Sequence, residues 1–206
     1  MSGHAASSTL AELQLADWRR CVSTLYAEVR ASEPAPAWDL WRATRERLFL
    51  EHPQSPLPAE QRTAAHAPAY FPYDPAWRRT GVVREAPRER LTLSDSGAGA
   101  VEAERVAFVE VEGLPRLSLF WLREYSGGLF LSFRDAGSGA STYGGGRYLL
   151  DTAKGADLGG DGATLMLDFN FSYQPSCSYD PRWSCPLPPR ENWLEIAVAA
   201  GERLRI

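Results

Sequence analysis

Apolar and polar positions follow two different periods along this chain, and the change falls near residue 70. Before it the period is helical. Leu10, Leu13, Trp18, Cys21, Val22, Leu25, Tyr26 and Val29 recur every three or four residues, which predicts one helix over residues 9–31 with a single apolar stripe. Thr9 with Glu12 fits a capping box at its start, and Pro34 and Pro36 are expected to end it. A second helix is predicted from about 39 to 50, presenting Leu40, Trp41, Leu48 and Phe49. It stops at His52-Pro53, because the residue before a proline is pushed out of the helical region. Pro58 opens one further short helical turn.

From Tyr70 onward the period is two. Strands are expected over 70–73, 78–85, 88–95, 101–112, 116–125, 128–134, 146–151, 163–171 and 193–200. Turn sequences separate them: Ser96-Gly97-Ala98-Gly99, Gly113-Leu114-Pro115, Ser126-Gly127-Gly128 and the glycine-rich stretch 135–139. No helical segment intervenes, so the strands should form hairpins and an antiparallel meander. Such a meander hides its edges by closing into a barrel or stacking as a sandwich. The predicted class is α+β, with an N-terminal helical layer packed on a mostly antiparallel β-barrel or β-sandwich. Residues 1–206 form a single domain in this reading, the helical layer at 1–66 and the meander at 67–206, with a Pro-rich loop at 172–192. No repeat or long linker interrupts it.

Composition narrows the function classes. Hydrophobic residues make up 44% and charged residues 23% of the chain, enough for a sizeable core. The net charge of −4 leaves no electrostatic footprint for nucleic acid. No apolar run approaches the roughly 20 residues of a membrane span, and the opening residues lack the basic and apolar regions of a signal peptide. Three cysteines suit a reducing cytoplasm better than a disulfide framework. Lys154 is the only lysine, so any chemistry that needs an amine has this one residue to use.

The stretch from Tyr143 to Asn192 concentrates the candidate chemistry. On a strand over 164–171, Leu165, Leu167, Phe169 and Phe171 share one face, while Thr164, Met166, Asp168 and Asn170 share the other. Facing outward, Asp168 and Asn170 are surface residues; facing into a barrel, they are the polar groups of an apolar pocket. Gly144, Gly145 and Gly146 before Arg147 offer successive amides that could cradle an anion beside a guanidinium, or they relieve crowding at a bulge or barrel corner. Tyr143 and Tyr148 bracket them.

Cys177 and Cys185 sit in a loop stiffened by Pro175, Pro181, Pro186, Pro188 and Pro189. They read as packing thiols by default, with a reversible disulfide and metal ligation as alternatives. Their spacing is wider than that of zinc cysteines, and His52 and His66 lie far off in sequence, so no metal is expected. Both histidines sit in proline-flanked loops, where acid–base work is not their default role. A loop this long and rigid is uncommon unless it covers something. Nucleophile-elbow, phosphate-loop, Cys-x-x-Cys and His-Glu-x-x-His motifs are all missing.

Several segments carry a resemblance: Tyr143-Gly-Gly-Gly-Arg-Tyr-Leu, Asp151-Thr-Ala-Lys-Gly, Asp168-Phe-Asn, and Pro-Ser-Cys177 through Cys185-Pro-Leu-Pro-Pro to Glu191-Asn192. Together with His52-Pro-Gln-Ser-Pro-Leu and Tyr70-Phe-Pro, they resemble the bacterial and archaeal family known as domain of unknown function 1684. The resemblance spans most of the chain and implies no particular activity. It implies that Tyr143, Gly144, Gly145, Gly146, Arg147, Lys154, Asp168, Asn170, Tyr173, Cys177, Cys185, Glu191 and Asn192 belong to a family signature, serving either folding or chemistry.

The expectation is therefore a small-molecule-binding β-barrel protein with no cofactor. Arg147 and the glycines would hold an anionic group, Asp168 and Asn170 would orient the ligand, and the loop bearing Cys177 and Cys185 would act as a lid. The rival is a non-catalytic interaction or structural module, compatible with a homodimer, in which Tyr173, Trp183 and Trp193 pack or meet a partner. A third reading is thiol redox work by Cys177 and Cys185.

Overall fold

The computed structural model describes residues 3–123 and 127–205. Helix α1 covers Gly3–Arg30 and helix α2 covers Pro34–Glu51. Helix α1 runs through Thr9, so Thr9 and Glu12 lie inside it and do not form its start. Pro34 and Pro36 open α2 where they were expected to close α1. The first turn of a helix leaves its N–H groups unused, so proline loses nothing there. At the other end His52 is extended before Pro53, as expected. The stripe of α1 is buried at Leu25, Tyr26 and Val29. It runs out toward the N-terminus, where Leu10 and Leu13 are 57% and 63% exposed. Trp41 on α2 donates its indole N–H to the Tyr26 hydroxyl of α1 at 3.1 Å, fixing the pair.

Among the described residues eight strands follow: β1 Ala69–Tyr70, β2 Arg78–Ser94, β3 Ala100–Val111, β4 Leu117–Leu122, β5 Gly128–Phe133, β6 Arg147–Asp151, β7 Thr164–Asp168 and β8 Glu202–Arg203. Six of them form one antiparallel sheet in the order β6-β5-β4-β3-β2-β7, and β1 pairs with β8 apart from it. The sheet curls into a half-barrel. Beyond β7 the chain returns to β6, where Tyr148 and Tyr173 exchange backbone hydrogen bonds at 2.9 and 3.0 Å. The architecture is α+β, two helices followed by a curled sheet and a small second sheet.

Three strand expectations change. Residues 78–85 and 88–95 are one long strand, because both halves pair with β3 and Pro87 falls in the irregularity between Glu85 and Glu89. A proline is tolerated where the ladder is already broken. The strand at 163–171 stops at Asp168, whose carboxylate accepts the Asn170 N–H at 3.0 Å and starts a 3₁₀ turn, Phe169–Phe171. Residues 193–200 form no ladder; Asn192 and Leu194, on either side of Trp193, each hold to Arg134 through a single backbone bond. The turn expected at Ser126 lies partly outside the described residues.

Both faces of the curl are covered. Helix residues Tyr26, Trp38 and Trp41 pack with Phe120, Phe130, Tyr148, Phe171, Tyr173 and Cys185 on one side. On the other, Leu194, Val198 and Ala200 pack on Val109, Leu119, Leu131, Phe133, Leu149 and Phe169. The 3₁₀ turn thus sends Phe169 and Phe171 into different clusters, although unbroken alternation would place them on one face. No helix among the described residues is long and apolar enough to cross a membrane.

Candidate functional site

The signature residues separate into structural clamps and groups that line space. Arg147 is a clamp. At 1% exposure, its guanidinium donates to Asp135 at 3.2 Å and to the carbonyls of Val198 at 2.8 Å, Glu202 at 3.1 Å and Ala200. Burial pulls its pKa down to about 10, with Asp135 and Glu202 opposing. Both Nη groups are spent on Asp135 and on the carbonyls of segment 198–202, and the side chain is buried, so an anion from solution has no access to it. Asn192 is another clamp. Its Oδ1 accepts the Ser118 N–H at 2.7 Å, and its Nδ2 donates to Ser118 O and Ser132 O, both at 2.9 Å. Glu191 makes a rim ion pair with Arg105 at 2.9 Å.

Asp168 and Asn170 are both fully buried and lie together. Asn170 donates to Asp168 at 2.8 Å and bonds both the N–H and the carbonyl of Asp74, tying down the approach to β2. Asp168 Oδ2 has no hydrogen-bond partner among the described residues; Arg78 Nη1 stands 3.5 Å away, a distance that gives charge compensation without a good hydrogen bond. Burial raises the pKa of Asp168, against the pull of Asn170 and Arg78. Arg78 also lines a groove of about 290 Å³ with Arg30, Thr80 and Asp161. The cations of that groove are occupied, Arg30 by the Asp157 carbonyl and Arg78 by Asp168.

The glycines divide. Gly146 has φ +84°, and an added Cβ would come within 2.6 Å of Phe133 O and of Pro188, so it is a corner residue. Gly144 and Gly145 instead line a cleft of about 340 Å³ with Leu187, Pro188, Arg134, Arg190 and Trp193. The chain builds this cleft by backbone pairing. Leu187 N–H bonds Ser94 O at 2.8 Å, laying the Pro-rich segment along the end of β2. Arg134 N–H bonds Asn192 O at 3.1 Å and Leu194 N–H bonds Arg134 O at 2.7 Å, which sets Trp193 beside Arg134. The indole N–H of Trp193 donates to Pro188 O at 3.2 Å and fixes the ring.

Two guanidiniums stack on that ring, Arg134 at 4.4 Å and Arg190 at 4.5 Å from its centroid. Stacked arginines keep their N–H edges free for a carboxylate or phosphate. Neither has an ion-pair partner among the described residues, and no acid lines the cleft. The amides of Gly144 and Gly145 likewise have no backbone acceptor among the described residues. Sequence reading missed Arg134, Arg190 and the role of Trp193. The available signal was an arginine three residues before a tryptophan, which is weak without knowing that β5 ends beside them.

Tyr143, Cys177 and Cys185 form a third group, with Tyr143 Oη 3.6 Å from Cys177 Sγ. Lys154 and Tyr173 form a fourth. They line a cavity of about 60 Å³ beneath the helices with Tyr26, Arg45 and Tyr148. Lys154 Nζ is 3.2 Å from Asp151, a buried carboxylate whose Oδ1 has no hydrogen-bond partner among the described residues. The expected single pocket uniting Arg147, Asp168 and Asn170 is thus absent among the described residues, and the signature residues are spread over several places.

The chain is similar to the solution NMR structure of an uncharacterised protein from gene locus rrnAC0354 of Haloarcula marismortui. The two share 36% identity over 82% of this chain and 94% of that chain, with a TM-score of 0.58. No curated protein matches it. The model of the family described as protein of unknown function, DUF1684, matches residues 66–203, from just before β1 through β8. The chain belongs to the DUF1684 family.

Proposed function

We propose that the chain is a single-domain cytoplasmic protein that binds a small anionic molecule in the cleft between Gly144-Gly145 and the Pro188–Arg190 segment. The observation that carries this reading is the pair of arginines stacked on one partly exposed tryptophan, with no acid among the residues lining the cleft. Arg134 and Arg190 donate to the anionic group, and charge-assisted bonds of this kind are the stronger ones. Trp193 offers a flat face to the body of the ligand, and the Gly144 and Gly145 amides supply close backbone donors. The volume, about 340 Å³, falls in the range of roughly 300–1,000 Å³ usual for small-molecule sites. The anion-plus-glycine arrangement expected from the sequence survives in this reading, with Arg134 and Arg190 in the place given to Arg147.

Phenyl phosphate, a planar ring with a compact anion, is the probe for calorimetric titration. Binding to the native chain and at least tenfold weaker binding to the double variant Arg134→Ala/Arg190→Ala support the reading. Equal binding by both proteins refutes it. Arg190 is exposed and Arg134 half-buried, so the variant keeps the core intact.

A second reading has its own support. Arg147, Asn170 and Asn192 are consumed in internal hydrogen bonds, as a module whose signature is architectural requires. Under it the cleft is a surface feature and phenyl phosphate does not bind.

A further inference from the structure

Cys177 and Cys185 are placed differently by the same loop. A 3₁₀ turn, Ser176–Ser178, holds Cys177 half-buried, while Cys185 is 6% exposed and packs in the cluster beneath the helices. The loop is fixed at both ends of this pair. Ser96 N–H bonds Cys185 O at 3.0 Å and Cys185 N–H bonds Ser96 Oγ at 3.1 Å, so the buried cysteine is docked on the turn between β2 and β3. Tyr143 approaches Cys177 from the β5–β6 connection, hydroxyl to sulfur at 3.6 Å. Cys177 packs against the cluster that holds Cys185, and the two thiols interact side chain to side chain. A sulfur that takes hydrogen bonds from a tyrosine hydroxyl and a neighbouring thiol is favoured as a thiolate, and that second thiol is placed to displace whatever the thiolate captures.

We propose that Cys177 and Cys185 form a reversible thiol–disulfide couple, with Cys177 as the attacking and Cys185 as the resolving sulfur, oxidised by low-molecular-weight disulfides. In the first step the Cys177 thiolate attacks one sulfur of the small disulfide, forming a mixed disulfide and releasing one small thiolate. That thiolate takes the proton of Cys185. The Cys185 thiolate then attacks Cys177 Sγ, forms the intramolecular bond and expels the second small thiolate. Two electrons pass from the protein dithiol to the small disulfide, which becomes two thiols after protonation. The couple is separate from the anion cleft and does not depend on it. The surroundings also separate the two thiols in acidity. Hydrogen bonding, first from Cys185, brings Cys177 down to about 6, while the same contact and burial push Cys185 up. Cys177 is therefore the more acidic of the two thiols, and Cys185 becomes a nucleophile only when a base removes its proton.

The full-length chain, reduced and then exposed to oxidised glutathione, tests this by intact mass and peptide mapping. The native protein should lose two hydrogen masses through a bond between Cys177 and Cys185, leaving Cys21 free. Cys185→Ser should instead accumulate one glutathione on Cys177, and Cys177→Ser should leave Cys185 unmodified. A lasting mixed disulfide on the native chain, or no reaction at Cys177 in the folded state, overturns the proposal. Iodoacetamide labelling of the unmutated chain gives a check that needs no variant. Labelling of Cys177 should outpace that of Cys21 at least tenfold at pH 7 and fall off below about pH 6, the acidity of its thiol. Equal labelling of Cys21 and Cys177 contradicts it.

Discussion

Arg147 Nη2 and Asp135 Oδ2 meet at 3.2 Å with both side chains withdrawn from solvent. The same carboxylate accepts the Val198 N–H at 2.7 Å and, through Oδ1, the hydroxyls of Ser138 and Thr142. The pair therefore joins the β5–β6 connection to the segment covering the outer core. Removing one member of a buried, hydrogen-bonded pair strands the other, which costs about 3–5 kcal/mol. Arg147→Met should lower the stability measured by urea unfolding by about that amount and leave probe binding at the cleft unchanged in whatever fraction stays folded.

Asn192 predicts a similar loss by a neutral route. Asn192→Ala leaves the Ser118 N–H and the Ser118 and Ser132 carbonyls, on β4 and β5, without this partner, worth on the order of 3 kcal/mol in total. The neighbouring Glu191→Gln touches only a rim ion pair and should change stability by less than about 1 kcal/mol. Thermal midpoints of the two variants compared side by side check the contrast.

Asp168 should show an opposite pH signature from an ordinary surface carboxylate. Its folded pKa is raised, chiefly by burial, so between the unfolded value of 3.8 and the folded value the native state holds the extra proton. The group's favourable contribution is fully present below the unfolded pKa and is lost as pH rises through the folded one. Asp168→Asn keeps an oxygen for the Asn170 N–H and removes the buried charge, so it should be within about 1 kcal/mol of native at pH 7 and abolish this part of the pH dependence. Asp168→Ala leaves the Asn170 N–H without its acceptor and should cost about 1–3 kcal/mol. Chemical unfolding from pH 4 to 8 separates the three proteins.

Lys154 is more than half exposed, yet it stands 3.2 Å from a carboxylate that is nearly inaccessible. Lys154→Met should destabilise the chain by about 1–2 kcal/mol, the usual cost for a buried pair reduced for solvent screening. Raising salt to 1 M should narrow the difference, since the Debye length falls to about 3 Å. An unchanged denaturation midpoint at low salt would show that Asp151 does not need this counter-charge.

Gly146→Ala should cost more than about 2 kcal/mol, since both the positive φ and the approach of Phe133 O and Pro188 oppose a side chain. The same change at Gly144, which meets only Gly139 backbone atoms at 3.8 and 3.9 Å, should be mild. Stability measurements on the pair show whether Gly146 is architectural and Gly144 is not.

The helices, the meander and most strand limits were legible because periodicity reports local burial. The direction of Asp168 and Asn170 was not, because a side-chain cap at Asp168 ends the strand and breaks the alternation on which facing was judged. Arg147 misled because a guanidinium beside glycines looks the same in sequence whether it meets a ligand or the carbonyls of residues 198–202. Arg134 and Arg190 lie far apart in the chain, and only the single backbone register between Arg134 and Trp193 brings them onto one ring. Such a register has no periodic signature. Cys177 and Cys185 were seen as a pair, but the inequality of their settings comes from Ser96 and Tyr143, each contributed by a distant turn.

The direct measurement is an amide and indole NMR titration of the isotope-labelled chain with phenyl phosphate. The account predicts saturable shifts confined to Gly144, Gly145, Arg190 and the Trp193 indole, and their loss in Arg134→Ala/Arg190→Ala. Shifts that scatter over the surface, or that persist in the double variant, contradict it.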